Sequence, residues 1–171
     1  FPTRRSSDLT GKEAEKVLEL TKDGAESLFE TSVSCIGASI CQIGLRDSQE
    51  LLLSCVKAVR DAEIPDGALS DPYFRMPVLL GTHQTGEIGF RGAAKSVDGK
   101  VHPAFVLYIN GCQTQGNESM GKEIGTILQK DIPEFLVTLG KTVALSGQDF
   151  HTWRNANPEE LERMAADYLI A

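Results

Sequence analysis

Two cysteines separated by five residues, Cys35 and Cys41 in "SVSCIGASICQIG", are the first side chains of this sequence whose chemistry exceeds packing. Thiolates are soft ligands for iron, copper and zinc. The intervening Gly37, Ala38 and Ser39 are small enough for backbone amides to approach a bound group. A helix beginning near Cys41 would add free N–H groups able to donate to thiolate or sulfide sulfur. The spacing is too long for a zinc knuckle or a redox C-x2-C pair, and alone it leaves open two buried, inert cysteines. Cys55 falls on the apolar face of an expected helix and reads as core. Cys112 lies in a glycine-spaced loop, "NGCQTQGNESMG", where either role is open. One reading of the chain is therefore a small metal-binding module using Cys35, Cys41, Cys112 and one His.

A second phrase, "DPYFRMPVLLGTHQTGEIGFRG", changes character at Gly81, where an apolar run gives way to glycine-spaced polar residues. His83 in it could face a cofactor or supply a proton, or be an ordinary loop histidine. Arg91 could offer its fork to a carboxylate, or lie solvated on a strand. Gly111, Gly116, Gly121 and Gly125 suit a loop passing close to a large flat ligand, and equally suit ordinary turns. His102 and His151 have no evident partner and read as structural.

Placed downstream of C-x5-C and followed by a hairpin and a glycine loop, "GTHQTGEIGFRGA" resembles the 4Fe-4S and siroheme domain of the nitrite and sulfite reductases. The resemblance runs from about Val33 to the C-terminus. It implies an α+β or α/β layered fold, and a cluster held by one C-x5-C pair, here Cys35 and Cys41. A later Gly-Cys-Pro-x-x-Cys pair, leading into a phrase like "GEIGFRG", would supply the other two ligands, its last cysteine bridging to the siroheme iron. It further implies six-electron reduction of nitrite to ammonia or sulfite to sulfide, with Gly37, Ser39, His83, Arg91, Gly111 and Gly116 as cofactor-contacting candidates. The implied partners are a missing N-terminal half of the same reductase and an electron donor, either ferredoxin or a partner linked to reduced pyridine nucleotide. Such reductases are built of two related halves, one lacking a cluster, so a cluster-free structural half is the alternative; the C-x5-C pair argues against it.

The chain departs from this pattern at two positions. Met76 and Leu80 stand where the second cysteine pair is expected, and a thioether and an alkyl group do not replace thiolates. A shift of reading frame is the expected account of the departure; the alternative is a real, degenerate domain whose second ligand pair has been lost. Encoded as CCA TAT TTC CGG ATG CCC GTC CTC CTG, residues 72–80 read PYFRMPVLL; one nucleotide forward, the same string reads His-Ile-Ser-Gly-Cys-Pro-Ser-Ser and, with one more pyrimidine, Cys. Residues 70–80 are accordingly expected to be frameshifted, with the frame restored at Gly81. The first nine residues, FPTRRSSDL, are what the sequencing-adapter string TTC CCT ACA CGA CGC TCT TCC GAT CTN encodes, and they are set aside as an artefact. Residues 10–32 are then a partial upstream segment, and 33–171 the reductase-type domain.

The elements that would position these groups alternate. Residues 11–29 carry spaced apolar side chains, a helix interrupted by Gly24. "SVSCI" is strand-prone, and Leu51, Leu52, Cys55, Val56 and Val59 mark a helix from Ser48 to about Ala62. Ile88–Ala94 and Val101–Ile109 read as strands about Asp98-Gly99, a dipeptide suited to a tight hairpin. Pro133–Leu145 and Pro158–Leu169 read as closing helices, the second capped by Asn157 and solvated from Asn155 to Tyr168. A mixed sheet with a hairpin and helices packed on it follows. Composition sets outer limits: 171 residues at 41% apolar content make one core, and a net charge of −7, with no clustered Lys and Arg beyond the first few residues, argues against a nucleic-acid surface. Nucleic acid and membrane are not expected partners, since no apolar run reaches bilayer length. Four cysteines without a signal segment suggest reduced thiols or metal ligands in a cytoplasmic protein.

Overall fold

A computed structural model describes residues 10–20, 27, 29–42, 44, 46–69, 78–80, 83–112, 116 and 118–170. In chain order the elements are α1 (Gly11–Leu20), β1 (Val33–Ser34), α2 (Ser48–Asp61), β2 (Val78–Leu80), β3 (Ile88–Val97) and β4 (Lys100–Ile109). They continue with β5 (Lys122–Leu128), α3 (Ile132–Ser146), α4 (Phe150–Ala156) and α5 (Pro158–Ala166). The strands form one sheet in the order β1-β2-β3-β4-β5. It is mixed: β1, β2 and β3 run parallel, and β3, β4 and β5 antiparallel. The architecture is the expected α+β sheet with helices packed on it.

The hairpin β3–β4 is its spine. Asp98 and Gly99 both take positive φ, 51° and 75°, the pair of left-handed residues that a two-residue turn matching strand twist demands. From there the ladder runs without interruption from Val97↔Lys100 to Ile88↔Ile109. One sheet face presents Ile88, Phe90, Phe105, Leu107, Ile109 and Ile127, all essentially inaccessible to solvent. Leu51, Cys55 and Val59 from α2, and Phe135, Leu136, Leu139 and Val143 from α3, complete the core on that face.

Local chemistry sets the helix ends. Thr10 and Glu13 form a capping box at α1: the Thr10 amide donates to Glu13 Oε2 at 3.0 Å, and the Glu13 amide to Thr10 Oγ1 at 3.4 Å. Asp47 caps α2 by accepting from the Glu50 amide, and Gly147 ends α3 at φ 70°.

Several elements differ from expectation. α1 buries none of its residues, and Phe29 belongs to a 3-10 turn; residues 21–26 and 28, with the expected break at Gly24, lie outside the described residues. α5 is not solvated throughout, because Leu161 and Ala165 are fully buried in the core. β2, β5 and α4 were not expected; Gly125, assigned to the glycine loop, lies within β5. Among the described residues no helix is long and apolar enough to cross a membrane.

Phe135, with no exposed surface, is expected to cost ~3–5 kcal/mol on Phe135→Ala, through lost burial and an unfilled cavity. Leu145→Ala, at a side chain 90% exposed, should stay within ~0.5 kcal/mol. Urea unfolding of the two variants checks both.

Candidate functional site

Three segments singled out by the sequence converge on one edge of the sheet. In the parallel register Val33 pairs with Leu79 and Ser34 with Leu80. Leu79 and Leu80 in turn pair with Gly89 and Phe90 of the "GEIGFRG" strand. Cys35 directly follows Ser34, so the backbone at Leu80 is one residue out of step with Cys35 on adjacent strands. Met76 lies outside the described residues. Beyond the end of β2, the edge of β3 is met by the cysteine loop itself, where Arg46 Nε donates to the Ala93 carbonyl at 2.8 Å.

That loop is wound tightly on itself. Gly37 opens a 3-10 turn over 37–39 at φ 65°, and the Cys41 amide donates back to the Gly37 carbonyl at 3.0 Å. The loop closes where the Ala38 amide meets the Arg46 carbonyl at 2.8 Å. A Cβ on Gly37 would sit 2.6 Å from that same carbonyl and 2.7 Å from the Ser48 amide, so glycine is required here by space as well as by φ. Ser39 Oγ is exposed and donates to the Ile36 carbonyl at 2.7 Å. No helix begins at Cys41: the turn precedes it and α2 starts at Ser48, held there by the Asp47 cap. The first residue of α2 nonetheless meets the other cysteine, because the Cys35 thiol donates to Ser48 Oγ at 3.3 Å. Cys35 is exposed and Cys41 half-buried; both are free thiols.

His83 and Arg91 come together on the sheet face opposite the helices, around Tyr108. The His83 ring lies 4.6 Å from the Tyr108 ring, and the Arg91 guanidinium 5.9 Å from its centroid. Arg91 Nε donates to Tyr108 Oη at 3.3 Å, and that hydroxyl donates to Glu123 Oε2 at 2.6 Å. The glycines here serve backbone packing. A Cβ on Gly89 would fall 1.8 Å from the His83 carbonyl oxygen, and one on Gly111 2.3 Å from that of Gly86. The Gly121 amide closes the arrangement by donating to the Gln84 carbonyl at 2.7 Å. Gly116 instead stands in open space at φ 89°, a turn residue. Cys112 pairs with Ser119 through two backbone hydrogen bonds, of 2.9 and 3.0 Å. Among the described residues, no group of three or more His, Cys, Asp or Glu side chains is gathered for a metal, so the proposed four-ligand module is not assembled there.

Sequence reasoning missed a buried charge cluster at the start of β3. Glu87 and Arg154 are 3% and 5% exposed, and Arg154 Nη1 lies 3.1 Å from Glu87 Oε1. His151 Nδ1 reaches the same oxygen at 2.9 Å, while Asn155 Nδ2 stands 3.1 Å from its Nε2. Arg154 Nη2 also lies 3.1 Å from His151 Nδ1, so the imidazole stands between the carboxylate, the guanidinium and the amide. His151, read as partnerless, thus pins the loop before β3 to α4. Only the glutamate's place next to a glycine and an apolar strand could have signalled burial.

Two outcomes follow from this geometry. Arg154→Met, which strands a buried carboxylate, should cost ~3–5 kcal/mol, and adding Glu87→Gln should recover part of it in denaturant unfolding. Iodoacetamide on the native chain should label Cys35 and Cys41 but spare Cys55, whose thiol is pushed up to about 12 by burial; peptide mass spectrometry reads the sites.

No family model and no curated protein matches the chain. Among solved structures it is similar to the NirA protein of Mycobacterium tuberculosis, with a TM-score of 0.61 at 14% identity. The match covers 76% of this chain and 26% of that one, so the chain spans about a quarter of NirA's length. The likeness is one of fold alone.

Proposed function

We propose that this chain is part of the cofactor domain of a siroheme-dependent nitrite or sulfite reductase, with a compensated frameshift over residues 70–80. One observation carries the reading. The parallel register sets the backbone of Leu80 against Ser34, the residue before Cys35. The second cysteine of the expected Gly-Cys-Pro-x-x-Cys pair would thus stand beside the first of the C-x5-C pair, as ligands of one cluster must. The fold shared with NirA supports the same family from an independent direction.

The residues as written do not fit a four-thiolate cluster. Cys35 and Cys41 supply two thiolates, Met76 and Leu80 supply none, and no third ligand is grouped with them among the described residues. The written chain is therefore expected to be inactive. The intact protein would pair this domain with its other half, take electrons from ferredoxin or a pyridine-nucleotide-linked donor, and work in the cytoplasm. There the Cys35–Arg46 loop would present two ligands from a rigid base, and His83 and Arg91 would flank Tyr108 on the opposite sheet face.

Resequencing the source DNA tests the frameshift: a read encoding Gly-Cys-Pro-Ser-Ser-Cys supports it, and an unshifted read encoding MPVLL refutes it. In protein, the chain carrying the shifted-frame residues over 72–80 should take up iron and sulfide anaerobically and give the EPR signal of a reduced cube. The chain as written should give none. A restored chain that stays colourless would favour the cluster-free half instead.

A further inference from the structure

A cavity of about 360 Å³ lies where α2, the start of β4, the 3-10 turn over Gln129–Asp131 and the first turn of α3 come together. That volume falls in the range of small-molecule clefts, roughly 300–1,000 Å³. None of the residues assigned above to a cluster or a siroheme lines it. We infer that this cavity is a binding site for a small aliphatic monocarboxylate, an alkyl chain bearing one carboxylate.

The walls choose the body of the ligand. Leu51, Pro103, Leu128 and Pro133 line the cavity with saturated carbon, and Leu51, at 1% exposure, joins its floor to the core. No Phe, Tyr or Trp is among the lining residues, so the walls offer no large ring face on which an aromatic body or a nucleobase would stack. An alkyl chain needs only close contact and release from water, and this lining supplies both.

The polar lining residues choose the head group. They are Ser54, His102, Gln129 and Lys130, which bring one permanent positive charge and no carboxylate. That balance runs against a chain with 24 acidic and 17 basic residues. The Ser54 hydroxyl already donates to the Glu50 carbonyl at 2.9 Å. Lys130 is exposed and His102 half-buried, and among the described residues neither side chain has a hydrogen-bond or ion-pair partner. An ammonium and an imidazole thus remain for one anionic head. A single ammonium matches a single carboxylate, whereas a phosphate ester would leave a second charge uncompensated. The carboxylate is placed at Lys130, on the solvent side, with the chain running inward to Leu51.

The test titrates decanoate, below its micelle-forming concentration, into the isotopically labelled full chain and follows backbone amide shifts by NMR. The amides of Leu51, His102 and Leu128 should move saturably, and decyltrimethylammonium, of equal chain length and opposite charge, should leave them in place. Lys130→Gln should weaken decanoate binding about three- to five-fold, the size of an exposed ion pair, and Lys130→Arg should retain it. Ser54→Trp sets a large ring into the cavity from an exposed helical position and should abolish binding, while its amide spectrum verifies that the fold persists. Equal binding of the cationic amphiphile, shifts centred on the exposed Leu18 and Leu20 of α1, undiminished binding in Ser54→Trp, or no saturable shift at all would each overturn the assignment. Cys35 and Cys41 take no part in these measurements, so their outcome is independent of cluster assembly.

Discussion

The uninterrupted β3–β4 ladder is the constraint on which everything else in this domain depends. Its ten residue pairs, from Ile88↔Ile109 to Val97↔Lys100, fix which side chains meet the helices and which face away. A slip of one residue would exchange Phe90, Phe105 and Leu107 for Arg91, Ala104 and Val106 on the core side. The two left-handed residues at Asp98-Gly99 hold that register at one end. At the other, the buried Glu87–Arg154 pair ties the strand's entry to α4, and Gly89 lets the chain at His83 cross directly over the sheet. The cysteine loop inherits its position from this frame, through β2 and through the bond from Arg46 to Ala93.

Much of the frame was legible in the sequence. The hairpin announced itself by its dipeptide and its apolar flanks, and α2 and α3 by periodicity and by a cap or breaker at their ends. What escaped had physical reasons. β5 opens with Lys122 and Glu123, carries Gly125 at its centre and is only partly buried, so it lacks the alternation of a half-buried strand. β2 is three residues long and owes its conformation to the strands on either side. α4 spans seven residues, too few for a helical period to emerge.

The candidate site divides along the same line. The C-x5-C pair and the "GEIGFRG" phrase were visible because their spacing is local. The partnership of Glu87 with His151 spans 64 residues and joins a loop to a short helix, a relation no local pattern encodes. The glycines illustrate the same limit. Spacing suggested a loop close to a flat ligand at Gly111, Gly116, Gly121 and Gly125; in the fold a Cβ on Gly111 would meet the Gly86 carbonyl, and one on Gly125 the Leu169 side chain. Glycine content reports a close approach without saying what approaches.

The chain after α5 turns back along β5, where Leu169 bridges to Ile127 and the Ile170 amide donates to the Thr126 carbonyl at 2.9 Å. An outermost strand with open donors and acceptors is a template for another molecule's backbone, and natural sheets blunt such borders. Here the blunting is done by the protein's own following segment, laid across part of the border with the side chain of Leu169 against Gly125. Along that stretch the β5 border is closed to strand addition, because its main-chain groups are already taken.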